Sequence, residues 1–188
     1  MMNSFIEIKE ATSPLAELSK KYDCLPDREL NKTLGANTFG MLPRSGGEWT
    51  GEPGNSEWVP DRDGIPKNRN YSNVEGKTWG EILDKYGIDS ISFKDGEPDF
   101  SEVSKGTVEI DDFCDERYGA GGNFDQASEK LAQQRGCTKE EVQNWMRENN
   151  YTWHERSDCK TMDKVPREVH GNVAHSGGIS KVKSMNYE

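Results

Sequence analysis

The spacing of apolar residues predicts several amphipathic helices along the chain. Thr78 and Thr138 each begin a capping box, with a glutamate three positions later and an apolar face at intervals of three and four. A short helix is also expected after Ser13-Pro14, where proline would take the first helical position.

Two of the predicted helices lie next to each other in the sequence. Asn123 is expected to cap the first, Gly136 to end it, and Thr138 to begin the second. Val142, Trp145 and Met146 are spaced to face a core. The pair predicts a helical hairpin that leads to Tyr151.

Alternating apolar and polar residues predict short strands between and after these helices. The alternation is clear at residues 91–93 and 108–110, and residues 151–154 combine β-branched and aromatic side chains. Another strand is expected at 161–165, and Pro166 then begins a helix. The C-terminal third therefore reads as strand, loop, strand and helix.

Glycine and proline interrupt residues 23–76, which predicts a long ordered loop held by isolated tryptophans. The hydrophobic fraction of 31% and mean hydropathy of −0.97 suit one modest core, and the aromatic residues argue against disorder. We expect a loop-rich α+β fold, with an N-terminal extension at 1–60 and a functional domain at 61–188 whose core lies at about 151–180. The polar tail after Ile179 is expected to fray.

The net charge of −10 argues against a nucleic-acid-binding protein, because such proteins usually carry a basic surface. The balance of basic and acidic residues near the C-terminus differs from that of the whole chain. From Trp153 to Lys183 there are six basic and four acidic residues, so this stretch is positive although the whole chain is acidic. A bound divalent cation would add to that charge.

The four cysteines are scattered and form no CxxC pair, so a thiolate zinc site is not expected. The N-terminus lacks the pattern of a signal peptide. No apolar run approaches the roughly 20 residues that span a bilayer, so no membrane segment is predicted.

All three histidines of the chain, His154, His170 and His175, fall within one short stretch. Neutral histidine is a common metal ligand and also a proton acceptor near neutral pH. One histidine at a strand end and two on or past a following helix would suit metal-assisted hydrolysis of a phosphodiester. Because His170 and His175 are five residues apart, His175 is expected past the helix end or on a distorted turn.

The residues beside the histidines allow several interpretations. Glu155 could be a metal ligand, a residue that orients a histidine, or an exposed side chain. Asp158 is expected to be a loop residue rather than a ligand. Cys159 is adjacent, but no third partner for a Cys-His nucleophile is evident.

The order of short motifs in this stretch resembles a known nuclease family. It contains Trp153-His154-Glu155, Asp158, Thr161-Met162, Val165-Pro166, His170 and His175-Ser176-Gly177-Gly178. These motifs resemble the WHH-type HNH/endonuclease VII nucleases, which are ββα-metal (His-Me finger) domains of bacterial polymorphic and contact-dependent toxins. Upstream segments, including Pro98-Asp99-Phe100-Ser101, extend the likeness to about residues 60–180.

The resemblance implies a metal-dependent endonuclease that cleaves DNA, with RNA as a less favoured substrate. It implies one divalent ion (Mg, Zn, Ni or Mn) held by His170 and His175, with His154 and Glu155 completing the catalytic set. It also implies delivery into the cytoplasm of a target cell and a cognate immunity protein.

Two departures from the family pattern affect this assignment. Glu155 stands where the signature has its second histidine. Either His154 is a metal ligand, as in a ligand-then-base pattern, or His154 is the general base and Glu155 is an accessory group; we favour His154 as the base. Asp163-Lys164 stands where relatives carry a polar-apolar pair, which predicts weaker packing of the second strand. A different class remains open, namely an interaction module in which the histidines hold a structural zinc.

Overall fold

The computed structural model describes residues 41–67 and 71–185. Within these ranges the strands are β1 (Gly47–Trp49), β2 (Glu57–Pro60), β3 (Ile91–Lys94), β4 (Glu97–Asp99), β5 (Thr107–Glu109), β6 (Tyr151–Glu155) and β7 (Thr161–Pro166). The helices are α1 (Trp79–Tyr86), α2 (Asn123–Arg135), α3 (Lys139–Glu148), α4 (Arg167–His170) and α5 (Gly178–Met185). The helix predicted after Ser13-Pro14 lies outside the described residues.

The first sheet is antiparallel, with the strand order β1-β2-β3-β4. Its first two strands lie in the region predicted to be a long ordered loop, so that prediction is wrong for residues 47–49 and 57–60. Trp58 is not an isolated anchor, because it pairs in register with Trp49 and Ile91 and is buried. The domain division near residue 60 stays a prediction, and β2 on its N-terminal side pairs with β3 on its C-terminal side.

Helix α1 forms where its capping box predicts. The Thr78 hydroxyl accepts from the Glu81 amide while the Glu81 carboxylate accepts from the Thr78 amide, and Gly87 ends the helix in the left-handed conformation. The buried face of α1, Trp79, Ile82 and Leu83, packs in one core with side chains of the first sheet.

The predicted helical hairpin is formed by α2 and α3. The Thr138–Glu141 capping box is present and Gly136 ends α2. Asn123 is the first residue of α2 rather than its cap, because Gly122 takes the cap position and the Asn123 side chain is turned inward. Trp145 is 38% exposed, so its predicted core position is only partly right.

The second sheet is antiparallel with the order β5-β7-β6, and the hairpin packs on it. Strands β6 and β7 and helix α4 form the ββα unit expected at the C-terminal end. This unit belongs to two cores. Trp153 and Met162 lie in the core with the hairpin, whereas Val165 and Val169 lie in the core with the first sheet and α1. The structure confirms the α+β fold class.

The charged pair Asp163-Lys164 on β7 is buried, and both side chains have partners. Asp163 accepts from the Thr107 hydroxyl at 2.6 Å and from the Arg156 guanidinium at 2.5 Å. The Lys164 ammonium lies 4.0 Å from the centre of the Trp145 ring, a cation–π contact. The strand therefore keeps its place in the sheet despite the two charges.

In the tail that is predicted to fray, helix α5 begins at Gly178 and runs to Met185, and the last three positions lie outside the described residues. Among the residues that the structure describes, every helix falls short of the length and apolar character needed to cross a membrane.

Candidate metal centre

The ββα unit brings the three histidines together. His154 is on β6, opposite Asp163 of β7, and His170 is the last residue of α4. His175 follows in the irregular segment between α4 and α5, past the helix end as its spacing predicts. The nitrogen donors of all three rings lie within 4.8 Å of one another. In the described part of the chain this is the single cluster with the composition of a metal site.

The ring contacts show which nitrogens face inward. His154 Nδ1 lies 3.2 Å from His170 Nε2. His175 Nδ1 lies 2.9 Å from the Val173 carbonyl oxygen, which can only accept, so this nitrogen carries the hydrogen. The lone pair of neutral His175 is therefore on Nε2, the nitrogen available to an ion.

His154 is the most deeply buried of the three, at 1% exposure. Its Nε2 atom is buried without a hydrogen-bond partner among the described residues. The nearest carboxylate oxygen is Glu97 Oε1, 4.0 Å away on β4 of the first sheet. Glu97 is held in place by the Ser157 amide and hydroxyl, at 2.5 and 2.6 Å. A carboxylate facing the outer nitrogen of a ligand histidine is a common arrangement around protein-bound metals.

One aromatic ring contacts all three imidazoles. Phe100 is 2% exposed, and its ring centre lies 5.0, 5.5 and 5.6 Å from those of His154, His170 and His175. These are edge-to-face or tilted contacts of ordinary aromatic pairs. Phe100 belongs to the upstream segment that the sequence associates with the motif, but its contact with the histidines is evident only in three dimensions.

Burial sets the protonation of the cluster. The pKa values of His154, His170 and His175 are all lowered, in each case chiefly because burial disfavours the charged imidazolium. Neighbouring cations, including Arg117, lower them further. The imidazoles are therefore neutral near neutral pH, the form that binds metal.

The three rings fit a divalent ion. Two imidazole nitrogens bound at about 2.0–2.1 Å to one tetrahedral ion would lie about 3.3 Å apart, close to the separation of His154 Nδ1 and His170 Nε2. Three neutral imidazoles form a donor set that suits zinc, nickel or other transition metals better than magnesium, which prefers oxygen ligands.

Glu155 is buried at 3% exposure, so it is not an exposed side chain. Its Oε2 atom accepts from Arg117 Nε at 2.9 Å and Nη2 at 2.6 Å, and its Oε1 atom accepts from Asn123 Nδ2 at 2.9 Å. Asn123 also bonds to the main chain of Cys114. These contacts fix the carboxylate from the side of α2 and the segment before it.

Two glycines hold the His175 segment against the end of β6. A Cβ atom on Gly177 would lie 2.7 Å from the Glu155 carbonyl oxygen, and one on Gly178 would lie 2.8 Å from the Phe113 ring and closer still to the Arg156 carbonyl oxygen. Only glycine allows this approach of the two main chains. The pair thus fixes His175 beside β6, and Gly178 begins α5.

The histidines line a cleft of about 270 Å³ together with Glu155, Arg117 and Arg167. Arg117 and Arg167 are functional candidates that the sequence did not indicate. Arg117 is 38 positions before Glu155, and no local motif marks it. Asp158 lies in the β6–β7 turn, where it accepts from the Lys160 and Thr161 amides at 3.0 and 2.8 Å, so its expected place in a loop is confirmed.

The chain is similar to a known family over the segment that builds this site. Residues 90–177 match the family model described as the DNase/tRNase domain of colicin-like bacteriocin. The match covers a little less than half of the chain and begins at residue 90 rather than near 60. A comparison with curated proteins finds no match. The expected likeness to a nuclease toxin domain is confirmed, but this match does not distinguish the WHH type.

Proposed function

We propose that this protein is a metal-dependent endonuclease of the WHH type that cleaves the phosphodiester bonds of DNA. The observation that carries the proposal is the convergence of three histidines, one buried and two partly buried, at the ββα unit, within the segment similar to a nuclease domain. His170 comes from the helix, His154 from the strand and His175 from the segment after the helix, and together they offer the ligands that metal-assisted hydrolysis needs.

All three histidines are proposed to hold the ion, with His154 as a ligand rather than the general base. The short approach of His154 Nδ1 to His170 Nε2 supports this assignment, as does the Glu97 carboxylate facing the other nitrogen of His154. When bound, a divalent ion would supply a Lewis acid for the scissile phosphate and its leaving oxygen.

With His154 as a ligand, Glu155 becomes the proton acceptor for the attacking water. Its carboxylate lines the cleft, and the contacts from Arg117 and Asn123 leave acceptor capacity on Oε1. The same contacts hold the Arg117 guanidinium at the cleft, where it would bind a phosphate oxygen. Arg167 also lines the cleft, and no carboxylate of the described residues lies within 4.0 Å of its guanidinium.

The biological setting follows from the same similarity. The name of the matched family refers to bacteriocins, so we propose that the protein is a toxin effector delivered into a target cell and that a cognate immunity protein blocks it. Because the family description covers both DNase and tRNase activity, RNA is retained as the second substrate to test.

The test is plasmid cleavage by the purified full chain with EDTA or with Mg²⁺, Mn²⁺, Ni²⁺ or Zn²⁺. We expect cleavage only with metal, and a loss of at least about a hundredfold in His154→Ala, His170→Ala and His175→Ala. Calorimetric titration with Zn²⁺ or Ni²⁺ should show weaker binding in the same variants. Asp158→Asn is the control, because this carboxylate serves the turn and should leave metal binding intact.

Two outcomes would contradict the proposal. Cleavage that persists in EDTA would remove the metal from the mechanism. A folded protein that binds Zn²⁺ through the histidines, yet cleaves neither plasmid DNA nor RNA with any metal, would favour the zinc-structured interaction module.

A further inference from the structure

A second, larger cavity opens next to the histidine cleft. It has a volume of about 630 Å³, within the range of pockets that hold small organic ligands. The two cavities share part of their walls, namely Tyr118, Phe124, Thr152, Trp153 and Arg167. The two cavities are therefore adjacent, and we call the larger one the side groove.

The side groove presents aromatic rings to solvent. Tyr118 is 69% exposed and lies at the boundary of both cavities, with its ring packed edge-on against Phe124 at 5.2 Å. Tyr71, at 77% exposure, lines the same groove. Packing of the core does not require such exposed rings, and together they offer flat surfaces on which a ring system can stack.

The charge of the side groove suits an anion although the whole chain is acidic. Arg147 and Arg167 line it, and neither has a carboxylate within 4.0 Å among the residues that the structure describes. The one carboxylate in the wall, Asp125, is neutralised by Lys139 at 2.8 Å. The Arg147 guanidinium donates to the Asn144 amide oxygen, a neutral partner that leaves its charge uncompensated. Aromatic faces beside guanidinium groups without a carboxylate partner are the combination that binds unpaired nucleotides, because bases stack while phosphates meet the arginines.

We propose that the side groove binds unpaired nucleobases of the strand whose phosphate lies at the histidines. The substrate would then be single-stranded nucleic acid, or a duplex opened at the cleavage site, rather than an intact duplex. A paired base has both faces covered by its neighbours and cannot stack on Tyr118 without leaving the duplex. This inference rests on the proposed nuclease function, which it makes more specific.

The test measures binding separately from cleavage. Fluorescence anisotropy in EDTA compares labelled single-stranded DNA, single-stranded RNA and duplex DNA of equal length, using the full chain. We expect single strands to bind more tightly than duplex, and Tyr118→Ala to weaken single-strand binding about tenfold while duplex binding changes little. The DNA and RNA arms show which of the two single strands is preferred.

Two matched variants control the measurement. Tyr118→Phe keeps the ring and should bind as the wild type does. Val74→Ala removes an apolar side chain that is 69% exposed, as Tyr118 is, but does not line the groove, so it should have no effect. Circular dichroism checks that each variant is folded.

Equal affinity for single and double strands, no binding of any oligonucleotide, or unchanged binding by Tyr118→Ala would overturn the inference. If metal-dependent plasmid cleavage nevertheless persists, the nuclease function stands and only the role of the groove fails. If Tyr118→Ala weakens single-strand binding but no substrate is cleaved, the groove assignment stands and the catalytic proposal fails. Loss of immunity-protein binding in Tyr118→Ala with unchanged oligonucleotide affinity would assign the groove to a protein partner and also overturn the inference.

Discussion

Two buried glutamates of the ββα unit, Glu155 on β6 and Glu168 on α4, show how one residue type serves two purposes. Both are nearly inaccessible, at 3% and 6% exposure, and both are met by cations from distant parts of the chain. Glu155 faces the histidine cleft and holds Arg117 there. Glu168 lines none of the cavities described above, and its carboxylate is turned toward α1.

The partners of Glu168 tie α4 to α1 and the residues before it. The carboxylate accepts from Lys77 at 2.8 Å, from Lys85 at 2.5 Å and from the Tyr86 hydroxyl at 2.7 Å. Burial alone would raise the pKa of Glu168, but these three hydrogen bonds together lower it to about 2. The pKa of Lys77 is correspondingly raised to about 12 by its hydrogen bond to Glu168. The contrast separates a carboxylate that lines the histidine cleft from one committed to the scaffold.

We expect the largest effect, a loss of cleavage, for Glu155→Gln, which tests the carboxylate that faces the cleft. If Glu155 accepts the proton from water, cleavage should fall by about 10² to 10⁴-fold. Zn²⁺ affinity should be unchanged, because the three imidazoles remain. The measurement is single-turnover cleavage of plasmid DNA beside calorimetric metal titration.

The pH profile of the same variant separates a chemical role from a positioning one. Glu155→Asp keeps a carboxylate, so it should restore part of the rate and the pH dependence of cleavage that Glu155→Gln loses. Full activity in Glu155→Gln would show that the carboxylate does not take the proton. Lost Zn²⁺ binding would instead make Glu155 a ligand.

A smaller effect, on stability rather than on chemistry, is expected for Glu168→Gln. Removing one partner of a buried ion pair typically costs about 3 kcal/mol, and we expect that loss in the free energy of unfolding by urea. Cleavage per folded molecule should stay near that of the wild type. Glu75→Gln is the matched control, because Glu75 also pairs with Lys77 but is 72% exposed and should matter little. A Glu168→Gln variant as stable as the wild type would contradict the scaffold role.

The smallest and most specific effect is the pH dependence of that stability. Because the pKa of Glu168 falls from its ordinary 4.5 to about 2 in the folded protein, the ionised carboxylate stabilises the fold above about pH 4.5. This contribution is lost as the pH falls toward 2. The stability difference between the wild type and Glu168→Gln, measured from urea midpoints, should therefore shrink from pH 7 to pH 3. A difference that is constant over this range would rule out titration of Glu168 as its cause.

The parts of the fold with local signals could be predicted from the sequence. The capping boxes at Thr78 and Thr138 each place all their hydrogen-bonding groups within four residues, and both helices begin there. The order of strand, loop, strand and helix around the histidines was also predictable, because its signals lie among residues that are close in the sequence. Concentration of all three histidines in one stretch was enough to indicate the site.

The features that depend on distant partners could not be predicted. Strands β1 and β2 are only three and four residues long; β1 pairs with β2 and β2 with β3, so both depend on partners that their own short sequences do not reveal. Burial of Lys164 depends on the Trp145 ring from another element. Arg117 reaches the cleft only because α2 and β6 are adjacent in space.

The contact of Gly177 and Gly178 with the carbonyls of Glu155 and Arg156 has an evolutionary consequence. The position of His175 relative to β6 depends on main chain lying against main chain, which is the same whatever side chains surround it. Residues on the rim of the cleft can therefore diverge under selection from a changing inhibitor or substrate without displacing a ligand. In a lineage of such proteins, the two glycines should persist while exposed rim residues such as Met41 and Ser180 vary.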